Sequence, residues 1–163
     1  MNVEQAYIKS TENKRIAEIA RKRLNGEIKD ICLNNQIGEL DSYNVFLAND
    51  IKRKIAISSP QKGWITIIES KEINDYTLLL QISKELQTEV LTIIQSDAAG
   101  AWGFVEILEG KVVKSYFSEE DDEIEDLISR KLKEKGIGEH LYMFREVVRE
   151  RDWDVVQITN IRN

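Results

Sequence analysis

The stretch Trp102-Gly103-Phe104-Val105-Glu106-Ile107-Leu108, then Glu109-Gly110, then Lys111-Val112-Val113-Lys114-Ser115-Tyr116-Phe117 decides the fold. Two runs rich in β-branched and aromatic residues flank a two-residue connection. Its glycine can take the positive φ that a tight hairpin turn requires. The spacing predicts a β-hairpin over residues 102–117. Just before it, Val90 to Ile94 reads as a β-branched strand. Further back, Trp64 to Glu69 carries apolar residues on both faces, the pattern of a central strand covered on both sides. Ile51 to Ser58 and Tyr43 to Leu47 read as two more strands, with a turn at Ser59-Pro60-Gln61-Lys62-Gly63. Asp154 to Thr159 reads as a last strand.

Helical periodicity fills the rest. Thr11 to Asn25 reads as a helix capped by Ser10 or Thr11, with Ile16, Ile19, Ala20 and Leu24 on one stripe and Gly26 as its stop. Arg21, Lys22 and Arg23 fall in its last turn, where cations favour the helix dipole. Asp75 to Leu86 reads as a second helix behind Asn74, burying Leu78, Leu79, Ile82 and Leu86. Ser118 to Lys135 reads as a third. Ser118 with Asp121 has capping-box-like spacing, and Gly136 and Gly138 end the helix. Glu139 to Arg149 reads as a fourth, with Leu141, Phe144 and Val148 at helical spacing. Strands clustered in meanders imply an α+β fold, with a mixed or mainly antiparallel sheet of about five to seven strands packed by about four helices. The connection through the second helix can be a crossover. Residues 1–163 read as a single domain, with 1–26 an N-terminal helical arm.

Composition bounds the function. Of 163 residues, 42% are hydrophobic and 32% charged, which is enough apolar material for one core. The single cysteine excludes an intrachain disulfide. No basic-then-apolar start and no run of roughly 18 apolar residues is present, so a cytoplasmic protein that does not cross a membrane is expected. A formal net charge of −6 argues against a non-specific nucleic-acid binder. It also keeps a protein soluble, and that is its commonest meaning.

The search for chemistry finds little. Cys32 and His140 are the only residues of their kinds, and nothing local joins them into a dyad. They are too few for a transition-metal site. The loop Asp97 to Gly103 lacks a phosphate-binding lysine and the dinucleotide glycine spacing. No cofactor is expected. Glu106 shares a face with Trp102, Phe104 and Leu108 by alternation, an awkward place for a charge unless the strand is bulged or at an edge. Glu69 ends an apolar strand.

Two features remain for recognition. Glu119, Glu120, Asp121, Asp122, Glu123, Glu125 and Asp126 form an acidic run with no base among them. It lacks the glycine of a calcium loop, and acids at a helix start are most often solvated partners of the dipole. Glu119, Glu120, Asp121, Asp122, Glu123 and Asp126 are nonetheless candidate contacts for a basic protein partner. Trp102 is a candidate anchor, although a core tryptophan is the commoner case. The basic residues Lys14, Arg15, Arg21, Lys22 and Arg23 could touch nucleic acid, but Glu12 and Glu18 interrupt them.

The segment from Gly63-Trp64 to Phe117-Ser118 resembles uncharacterised small bacterial proteins. The shared features are a tryptophan-led strand, the helix Leu78-Leu79-Leu80-Gln81-Ile82-Ser83-Lys84-Glu85-Leu86 and the paired hairpin. Small acidic proteins of this appearance include immunity proteins that neutralise toxins. The resemblance carries no catalytic motif and no site residue. The function expected from all this is non-enzymatic: an interaction or immunity-like protein that binds a partner through an acidic surface. A small carboxylate-using enzyme and a nucleic-acid module built on the first helix are the alternatives.

Overall fold

The computed structural model describes residues 2–24, 27–31, 51–69, 76–96, 101–118, 121–137 and 153–159. In chain order they form β1 (Asn2–Lys9), α1 (Asn13–Leu24), β2 (Glu27–Ile31), β3 (Ile51–Ser58), β4 (Trp64–Glu69), α2 (Tyr76–Leu86), β5 (Glu89–Ser96), β6 (Ala101–Leu108), β7 (Lys111–Ser118), α3 (Asp121–Glu134) and β8 (Trp153–Thr159). The strands make one eight-stranded sheet in the order β2-β8-β3-β4-β1-β5-β6-β7. Every neighbouring pair is antiparallel. The α+β class therefore holds. The sheet is larger than the five to seven strands expected, and the described residues contain three helices. The strand expected over 43–47 and the helix over 139–149 lie outside the described residues.

The extra strands are β1 and β2. β1 lies in the middle of the sheet, between β4 and β5. Residues 2–24 are thus part of the body of the fold and not an arm. β1 escapes pattern reading because Gln5 is buried among apolar neighbours. Its amide accepts a hydrogen bond from Tyr7 Oη at 2.8 Å. β2 is short, and Glu27, Lys29 and Asp30 break its apolar pattern.

Side-chain alternation sorts the core onto the two faces of the sheet. On one face Ala6, Ile8, Ile55, Ile57, Ile65, Ile67, Val90, Val105, Ile107 and Val156 meet the buried stripes of α1 and α2. On the other face Tyr7, Trp64, Leu91, Ile93 and Phe104 meet Ile128 and Leu132 of α3, and Ile137 just beyond it. β1, β4, β5 and β6 are therefore apolar on both sides, as the reading of Trp64 to Glu69 requires. β4 and β5 both pair antiparallel with β1, so they run parallel to each other and α2 is the crossover between them.

The hairpin turns where the sequence places it. Glu109 has φ 49° and Gly110 φ 81°, a primed turn joining β6 to β7. The C-terminal end of α2 grips this turn. Ser83 is fully buried. Its hydroxyl donates to the Thr88 carbonyl at 2.7 Å and accepts from the Gly110 amide at 3.0 Å. A Cβ on Gly110 would lie 2.7 Å from Lys84 Cβ, so contact as well as φ calls for glycine there. Ser83→Ala should cost about 1–2 kcal/mol, because it removes the acceptor of the Gly110 amide and leaves the Thr88 carbonyl to the longer bond from Glu109. Urea unfolding should show a lower midpoint with an unchanged slope. A loss below about 0.3 kcal/mol would mean that the hydroxyl does not tie the turn.

The third helix begins later than its expected cap. Ser118 is the last residue of β7, paired with Trp102, and α3 starts at Asp121. The strand ladder therefore claims the residue that spacing alone offers as a cap.

Candidate interaction edge

β7 is an outer strand of the sheet, and it differs from an ordinary edge. Natural sheets guard their edges with charges, bulges or short strands, because unpaired N–H and C=O groups invite another strand. At the opposite edge β2 follows this rule, being five residues long with three charges. β7 carries Lys111, Lys114 and a bulge, yet it also exposes Val112 (52%), Val113 (59%), Tyr116 (44%) and Phe117 (59%).

These groups lie on both faces of the sheet. Tyr116 pairs with Phe104 and Lys114 with Glu106, which puts both on the α3 side. The Tyr116 and Phe104 rings stack at 6.0 Å and 17°. Val112 pairs with Ile107 and Phe117 with Gly103, on the opposite side. The register shifts between Glu106 and Ile107, which leaves Val113 as the extra residue of a bulge. Gly103 permits a very close approach: a Cβ there would lie 2.4 Å from Phe117 Cδ1 and 2.5 Å from the Tyr116 carbonyl oxygen. One face of the Phe117 ring thus covers glycine backbone.

The doublets Val112-Val113 and Tyr116-Phe117 carry the same message as Trp64 to Glu69, namely apolar groups for two faces. β4 meets that requirement inside the sheet, whereas β7 meets it on one side only. The signal was present in the sequence, but composition cannot say which strand ends a sheet.

Glu106 is the charge that alternation found awkward, and the structure accounts for it. Its carboxylate sits 3.0 Å from Lys131 Nζ of α3 and 3.5 Å from Lys135 Nζ, one residue past the end of that helix. Lys135 also bridges to Glu89 at 3.0 Å, and Glu89 to Lys9 at 3.5 Å. Lys131 Nζ lies 5.1 Å from the centre of the Phe104 ring, and Lys114 Nζ lies 5.9 Å from it. Burial pushes the Glu106 carboxyl up, but the hydrogen bond and charge of Lys131, aided by Lys135, hold it below its usual 4.5. A general acid at neutral pH needs the opposite shift. This network is a clamp between β6 and α3.

The other candidates fall as follows. Trp102 lies in β6, in register with Gln95 of β5 and Ser118 of β7. Asp121, Asp122, Glu123 and Asp126 belong to the first turns of α3. Glu119, Glu120, Cys32 and His140 lie outside the described residues. Among the described residues no group of three or more His, Cys, Asp or Glu is placed to hold a metal ion.

Much of the basic character of α1 is already engaged. Arg21 pairs with Glu18 at 2.9 Å, and Arg15 with Glu12 at 3.6 Å. The Glu18 hydrogen bond raises the Arg21 pKa and correspondingly lowers that of Glu18. Lys14 pairs at 2.7 Å with the buried Asp154 of β8, which also accepts from Asn13 at 3.3 Å. These bonds fasten the start of α1 to the sheet.

No helix among the described residues is long and apolar enough to cross a membrane. No family model, curated protein or solved structure matches the chain.

Proposed function

We propose that this is a non-enzymatic interaction protein whose recognition element is the outer edge of β7, extended by the acidic stretch that follows it. The observation that carries the proposal is the row of exposed apolar groups on a strand whose outer side has no partner among the described residues. Leaving them in water is unfavourable, and a docked strand removes them from it. Because the groups point to both faces, the partner lies beside β7 and not across one face. Backbone hydrogen bonds supply affinity, and side chains on alternate faces supply selectivity. The acids from Glu119 to Asp126 favour basic groups on the partner and would steer its approach. In its specific form this is an immunity-like or regulatory binder that acts by occupying a surface.

The test places a photo-crosslinking residue at Val113 and, as a control, at Lys22 on α1. A protein captured only from Val113 should bind the purified chain, and Phe117→Glu should weaken that binding at least about tenfold. Binding that is indifferent to Phe117→Glu, or identical capture from both positions, would refute the docking edge.

A further inference from the structure

We draw no further inference here: the strongest candidate, the surface patch of Val112, Val113, Tyr116 and Phe117 along the outer edge of β7, belongs to the docking site already described, and nothing in the structure shows what covers it.

Discussion

Gly103→Ala should destabilise the protein by about 2 kcal/mol, a fall of roughly 4–8 °C in melting temperature for a chain of this length. Replacing glycine in a strand ordinarily helps, because alanine orders less backbone on folding. Here the new methyl meets the Tyr116 carbonyl oxygen at 2.5 Å as well as the Phe117 ring. The ring is exposed and can swing away, but the carbonyl belongs to the β6–β7 ladder and cannot. Gly103→Ala combined with Phe117→Ala should therefore recover only part of the loss. Full recovery would show that the ring alone crowds the site. A neutral Gly103→Ala would show that β7 sits farther from β6 than the pairing of Gly103 with Phe117 implies.

The second large effect belongs to Glu106→Gln. The substitution leaves Lys131 and Lys135, both mostly covered, beside a neutral amide. Lys135 keeps Glu89, whereas among the described residues Lys131 keeps the face of Phe104. The expected cost near pH 7 is about 1–3 kcal/mol, below that of a fully buried pair because water still reaches the site. Its pH dependence follows from the direction of the shift. A carboxyl held below 4.5 in the folded protein contributes stability above its unfolded value and loses it as pH falls through the folded value. The gap between wild type and Glu106→Gln should thus be constant above about pH 5.5 and close as the solution is acidified below 4.5. A gap that widened on acidification would mean that the carboxyl is raised, reopening a catalytic reading of Glu106.

These sites also show how far residue patterns carry. Local rules placed the hairpin, because a glycine between two β-branched runs has few other uses. They also placed α1 and α2, whose stripes are the ones buried. They missed β1 because a central strand can bury a glutamine whose side-chain oxygen accepts from a neighbouring tyrosine, and alternation then looks broken. They offered Ser118 to a helix because capping is a local preference, whereas its pairing with Trp102 is made across the sheet. Glu106 looked misplaced in sequence because its counter-charges come from α3, more than twenty residues onward. The acids from Glu119 to Asp126 were conspicuous as composition. The apolar doublets of β7 were not, since the same doublet is unremarkable in an interior strand. Their meaning depends on which strand is last, and that is set by the whole topology.

The central claim is that β7 is an edge built to be covered. Amide hydrogen exchange along β7, followed residue by residue with and without the partner captured at Val113, tests it most directly. The β7 amides not bonded to β6 should be protected in the complex. They should become exchangeable without the partner or in Phe117→Glu, while β1 and β5 stay protected throughout. Fast exchange of those β7 amides in the complex would contradict it.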